Sequence, residues 1–151
     1  MNSTRQRVLA IGLRHCERMT VAPHHTVPQI EPSWPGFKDM PPVFATAMMV
    51  AFMEQTCIVA LRPFLTPEQR TVGTHIDMSH VAPTAVDMEI TAEIELVGIQ
   101  GKSLTFKVCC RDADGTIGAG THQRVIIDMN RFIQRLHDKV ARARPRSESG
   151  R

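Results

Sequence analysis

From Asp87 to Gln100 the chain alternates: Met88, Ile90, Ala92, Ile94 and Leu96 share one face, while Asp87, Glu89, Glu93 and Glu95 share the other. A period of two predicts a half-buried strand. Three further stretches read the same way: 71–80, Ser103–Asp112 and Thr116–Asp128. Gly101-Lys102 and Asp114-Gly115 supply turns between the last three. Residues 7–21 predict a first strand. Between it and the others lies a different text. Residues 22–42 hold six of the ten prolines, and no regular element fits there. Yet that segment also carries Val27, Ile30, Trp34, Phe37 and Met40, so it reads either as a loop closing one end of the core or as a lid over a pocket. Pro41-Pro42 then opens a helix through Leu61, stopped by Pro63 and Pro67. The helix is apolar nearly all round, which predicts burial on most sides. Arg131–Val140 predicts a short helix, and the basic end ARARPRSESGR reads as disordered.

One helix and about five antiparallel strands have to bury their apolar faces on each other. The simplest solution is an α+β arrangement, a curved sheet wrapped around the helix. The expected organisation is one domain over residues 1–140 with a basic tail over 141–151.

Composition narrows the function classes. The chain has 151 residues, 42% of them hydrophobic, which suffices for one domain with its own core. Aromatic residues are scarce at 5%, so the nine Met and the aliphatic residues must fill that core. The formal charge of +3 is unevenly spread. Residues 131–151 carry seven basic and two acidic side chains, leaving eleven basic and thirteen acidic, a net −2, on the first 130. That argues against a nucleic-acid-binding face on the body of the protein. Cys16, Cys57, Cys109 and Cys110 lack the spacing of a zinc site, so no metal is expected, and they read as reduced thiols. The N-terminal run lacks the apolar core of a signal peptide, and a cytoplasmic location is expected. The 43–61 stretch is long enough to cross a membrane, but Thr46, Glu54, Gln55 and Thr56 within it favour a buried helix and no membrane partner.

Candidate chemistry starts with Glu54, the sole charged side chain between Asp39 and Arg62. A carboxylate set among Met, Val, Ala and Phe loses solvation, so it needs a partner or a purpose. His80 shares a strand face with Thr74, Ile76 and Met78, opposite Gly73, His75, Asp77 and Ser79. It ends a partly apolar face, where a hydrogen-bonded core histidine and a catalytic one are both open readings. His122 and Arg124 alternate on a face with Gly120 and Ile126. Arg124 suits pairing with a carboxylate or binding an anion, and the plainer reading is a surface ion pair of small energetic worth. Thr46 precedes Glu54 by eight residues, about 12 Å of helical rise and about 80° of rotation, so the two side chains do not touch directly. Unaided, Thr46 reads as a helix cap.

Three stretches, PPVFATAMMVAFMEQTCIVALRPFL, TVGTHIDMSH and GTHQRVIIDM, together resemble the fluoroacetyl-CoA thioesterase family of the hotdog-fold thioesterases. The similarity runs in order over residues 10–137. It implies catalytic roles for Thr46, Glu54 and His80, with Gly73 and Arg124 contacting substrate. It implies a homodimer with acyl-CoA sites near the subunit interface, and hydrolysis without a metal or redox cofactor. Phe37 matches an aromatic residue of the family's lid. Met40 departs from the pattern, because the fluoroacetyl-specific enzyme has Phe there. A thioether in place of a ring separates this lid from that specificity and leaves thioester hydrolysis untouched. In this reading Glu54 is the nucleophile or the general base for water, Thr46 bonds the carboxylate or the reacting group, and His80 moves a proton or stabilises charge. The backbone at Gly73 approaches the thioester oxygen. The alternative reading is a non-catalytic protein that binds acyl-CoA or a small ligand on the same fold. A hotdog dehydratase is a third, without a second buried acid and His arrangement to support it.

Overall fold

The computed structural model describes residues 7–144. Strand β1 (Arg14–Thr20) leads into a Pro-rich crossing with two one-turn helices, α1 (Val27–Ile30) and α2 (Pro35–Lys38). The long helix α3 (Thr46–Leu61) follows, then β2 (Gln69–Met78), β3 (Glu89–Gln100), β4 (Ser103–Asp112), β5 (Gly115–Asp128) and the terminal helix α4 (Met129–Ala143). The strands form one antiparallel sheet in the order β1-β3-β4-β5-β2, so β1 and β2 are its edges.

The sheet curls around α3. The alternation of β3 decides which face turns inward: Ile90, Ala92, Ile94 and Leu96 are buried, and Glu89 and Glu93 are exposed. Leu104, Phe106, Val108 and Cys110 of β4 continue that inner face, while Cys109 points away. Met49, Phe52, Met53, Cys57 and Leu61 of α3 pack onto it.

The structure corrects several expectations. Residues 7–13 are not strand, because Gly12 takes a left-handed φ of +96° and its N–H turns to the Leu96 carbonyl at 2.8 Å. The Pro-rich crossing is not structureless. Pro23, Pro28 and Pro35 each begin a single helical turn, where the missing N–H has no intrahelical partner to lose. Nor does Pro41-Pro42 open α3, which begins five residues after Pro41. Phe44 is held extended by its N–H to the Thr84 carbonyl at 2.8 Å and by a bridge to Thr26. The helix is also not buried on most sides. Ala47, Ala51 and Gln55 are exposed, and Val50, Glu54 and Ile58 are half-buried, a continuous stripe along one face.

Helix α4 is longer than expected and reaches into the segment predicted to be disordered; residues 145–151 of that segment lie outside those described. Asp128 caps it, its carboxylate accepting the Arg131 N–H at 2.9 Å. Its apolar residues Phe132, Ile133, Leu136 and Val140 are 40–50% exposed.

Candidate active site

Glu54 lies at the border between the covered and uncovered faces of α3. Its partner comes from β5, an interior strand. Arg124 is only 2% exposed, and its Nη1 donates to Glu54 Oε1 at 2.9 Å. Three more bonds fix the guanidinium. Nε donates to Thr71 Oγ1 at 2.9 Å, Nη2 donates to the Thr71 carbonyl at 2.8 Å, and Nη1 also donates to His122 Nε2 at 3.0 Å. His122 is equally buried, and its Nδ1 donates to the His75 carbonyl at 2.8 Å. Burial lowers the His122 pKa. The His75 carbonyl opposes that shift, Arg124 reinforces it, Glu54 raises it and His75 lowers it further. The ring is therefore neutral at neutral pH. So Arg124 and His122 form a buried network, not a surface ion pair. Glu54 keeps 39% of its side chain exposed, and Oε2 makes no hydrogen bond among the described residues.

Gly73 is the floor under this carboxylate. A Cβ there would lie 2.6 Å from Glu54 Oε1 and 3.2 Å from His122 Cε1. Strict alternation puts Gly73 with His75 on the face opposite His80. A bulge overturns that: Gly73 pairs with Arg124 and His75 with Gln123, so Thr74 is the extra residue and the parity of β2 changes between them. Gly73 thus faces inward together with Ile76, which pairs with His122.

His80 belongs to a second cluster. It lies just past β2 and is kept beside β5 by Ser79 N–H to the Ala119 carbonyl and Val81 N–H to the Ile117 carbonyl. Its Nδ1 is 2.7 Å from Thr46 Oγ1. Nε2 is buried without a partner among the described residues. Burial lowers the pKa of His80, with the Ala82 backbone opposing, so this ring too is neutral at neutral pH. Thr46 is not the helix cap. Ala45 occupies that position, which leaves the threonine hydroxyl for His80.

The expected site residues therefore fall into two groups in one chain. Glu54, Arg124 and Gly73 meet in one, and Thr46 and His80 in the other; no hydrogen bond joins Glu54 to Thr46 or His80. Phe37 and Met40 lie on the crossing before α3. Phe37 packs edge-on against Trp34 at 5.2 Å between centroids, and Met40 is 47% exposed. Sequence reasoning missed Thr71 as the second anchor of Arg124 and gave His122 no role. The signal was present: two polar residues two apart on the inward face of an interior strand require partners. Cys57 sits beside this network, its thiol pushed up to about 12, chiefly by burial, so it stays protonated. A concavity of about 860 Å³ opens on the other face of the sheet between Arg14, Glu93, Glu95, Lys107 and Arg111. None of the candidate residues lines it, and its charged rim is the solvent-facing side of the strands.

A family model described as fluoroacetyl-CoA-specific thioesterase matches residues 20–130. The fluoroacetyl-CoA thioesterase of Streptantibioticus cattleyicolor is 35% identical over 132 residues, covering 87% of this chain and 95% of that protein. The chain belongs to the fluoroacetyl-CoA-specific thioesterase family. A solved fluoroacetyl-CoA thioesterase superposes with a TM-score of 0.84 at 34% identity, covering 92% of this chain and 100% of that one. A hot-dog-like protein from Thermanaerovibrio acidaminovorans has a TM-score of 0.74 at 17% identity over 93% of this chain and 94% of that one, and shares the fold alone. The fold expected from the strand and helix pattern is thus the hotdog fold.

Proposed function

We propose that this family member hydrolyses a short-chain or small substituted acyl-CoA to the free acid and CoA, with Glu54 at the centre of the reaction. Membership of the family makes the protein an acyl-CoA thioester hydrolase. The observation that carries the assignment to Glu54 is its asymmetric anchoring. One carboxylate oxygen is tied to a buried, four-bonded Arg124, and the other is unbonded on the uncovered side of α3. A carboxylate held in place with one oxygen available suits attack on a thioester carbonyl or abstraction of a proton from water. Whichever route operates, Oε2 is the acting oxygen. In one route Oε2 bonds to the acyl carbon as the C–S bond breaks, and water then hydrolyses the mixed anhydride. In the other, Oε2 takes a proton from the water that adds to that carbon. In both, the CoA thiolate leaves and takes up a proton. Gly73 permits the acyl carbonyl to approach the backbone beside Glu54. Phe37 and Met40 border the acyl end from the lid.

Thr46 and His80 complete the site from a second copy of the chain. The exposed stripe of α3 supports this. Two such helices packed antiparallel about a two-fold axis near Val50 set Thr46 of one copy against Glu54 of the other, because an isologous contact pairs residue i with j and j with i. The protein is then a cytoplasmic homodimer whose sites lie between subunits.

Glu54→Gln tests the reading. Gln preserves an acceptor for Arg124 but removes its countercharge, so the fold is kept with a lowered melting temperature. Release of CoA from acetyl-CoA should fall on the order of a thousandfold. Retention of most activity by the Gln variant would remove Glu54 from the mechanism. Wild-type protein that binds acyl-CoAs by calorimetry without releasing CoA would instead be a binding protein. A panel of acyl-CoAs of graded length, fluoroacetyl-CoA included, defines the acyl group.

A further inference from the structure

We propose that His122 is a positioning residue for Glu54, acting through Arg124 as a neutral ring whose Nε2 lone pair is required. The inference rests on Glu54 being the reacting group.

The hydrogen bonds leave one tautomer. The His75 carbonyl can only accept, so His122 Nδ1 carries the proton across their 2.8 Å contact. A guanidinium can only donate, so His122 Nε2 must be the bare nitrogen that accepts Arg124 Nη1 at 3.0 Å. That nitrogen of Arg124 has two hydrogens. One goes to His122 and the other to Glu54 Oε1. The guanidinium is planar, so these two hydrogens point in fixed directions, and the His122 acceptor holds this end of the plane where its other hydrogen meets the carboxylate. Thr71 holds the opposite edge of the same plane through Nε and Nη2, which leaves His122 as the anchor at the Nη1 end.

His122 is not itself a ligand of Glu54. Its Nε2 is 3.8 Å from Oε1, beyond hydrogen-bond reach. Nor is it a surface group that happens to lie nearby, since it is 2% exposed. The charged and titratable groups that face it are Arg124 on its own strand, Glu54 on α3 and His75 on β2. Adding a proton at Nε2 would turn an acceptor into a donor directed at Arg124. The lowered affinity of this ring for a second proton fits the requirement that it remain neutral.

The test separates the two nitrogens of the ring. The amide of Asn sits where Nδ1 sits and can serve the His75 carbonyl, but it does not extend to Arg124. The longer Gln places an acceptor near the position of Nε2 and gives up the His75 contact. With acetyl-CoA as substrate, His122→Gln should keep kcat within about threefold, and His122→Asn should lower kcat by about tenfold or more, with KM changed less than about threefold in both. A purely structural role predicts the opposite order or equal losses, and either result overturns the proposal. A loss confined to KM overturns it as well. Nitrogen-15 NMR of the wild-type imidazoles supplies a readout that needs no variant and no turnover. At neutral pH His122 should be protonated at Nδ1 and bare at Nε2; the reverse tautomer or a doubly protonated ring refutes the assignment. Wild-type protein without thioesterase activity would count against the function proposed above, while the NMR result would still decide the state of His122.

Discussion

Glu54 owes its place to the side chains beneath it. Arg124 is a charge taken almost fully out of water, and a buried charge is tolerated only when its hydrogen bonds are met. Thr71 and His122 meet three of them and Glu54 the fourth. The carboxylate, half in solvent, supplies the countercharge without giving up its second oxygen. Gly73 completes the seat by having no side chain. A Cβ at Gly73 would meet the carboxylate of Glu54 and the ring of His122, and would not strike backbone. Gly73→Ala should therefore push the carboxylate aside and weaken its bond to Arg124, while the backbone pairing of β2 stays as it is. We expect kcat to fall about a hundredfold, the scale of a misplacement of about 1 Å at a reacting group. The melting temperature should fall, because the buried Arg124 loses part of its countercharge, while the protein remains folded. A fully active Gly73→Ala enzyme would show that the carboxylate position is not critical.

At the scale of elements, the pairing of β2 with β5 carries both halves of the site, since Gly73 lies on β2, His80 just past its end, and His122 and Arg124 on β5. That pairing is unusually close at Gly120. An added Cβ would land on the Asp77 carbonyl and the Met78 Cα, which are backbone atoms that cannot move aside. Gly120→Ala should cost about 1–3 kcal/mol of unfolding free energy in urea, as overpacking does. An unchanged urea midpoint would mean that the strands separate there without penalty. The contrast with Gly73 shows what was legible in the sequence. Alternation located β3, β4 and β5 and the inward face of Ile90, Ala92, Ile94 and Leu96, because those strands have one wet side and one dry side. It failed at β2, where a single inserted residue, Thr74, exchanges the two faces. Glu54, His80 and Arg124 stood out because polar groups on dry faces need partners, yet the groups that anchor Arg124 and His122 from β2 did not. Thr71 and His75 contribute a hydroxyl and backbone carbonyls from a neighbouring strand, and only strand register brings them within reach.

On the scale of the whole molecule, one chain leaves two things unfinished. The apolar stripe through Ala47, Val50, Ala51 and Ile58 is uncovered, and Glu54 is separated from Thr46 and His80 by two turns of α3. The antiparallel two-fold pairing of α3 proposed above would resolve both at once, since it would bury the stripe and face each Glu54 toward the Thr46–His80 pair of the other copy. This arrangement has a consequence that no single-chain site shares. Glu54→Gln and His80→Ala homodimers should each be nearly inactive. When the two variants are mixed and allowed to exchange subunits, half of the dimers become mixed. In each mixed dimer, the intact His80 of one chain meets the intact Glu54 of the other at one site, while the second site carries both lesions. The mixture should recover about a quarter of wild-type activity, because one site in four is then whole. Recovery should follow the rate of subunit exchange, measured in parallel by mass spectrometry of isotope-labelled protein. Sites contained within single chains would give no recovery at any degree of exchange, and that result would confine Glu54, Thr46 and His80 to separate roles within each subunit.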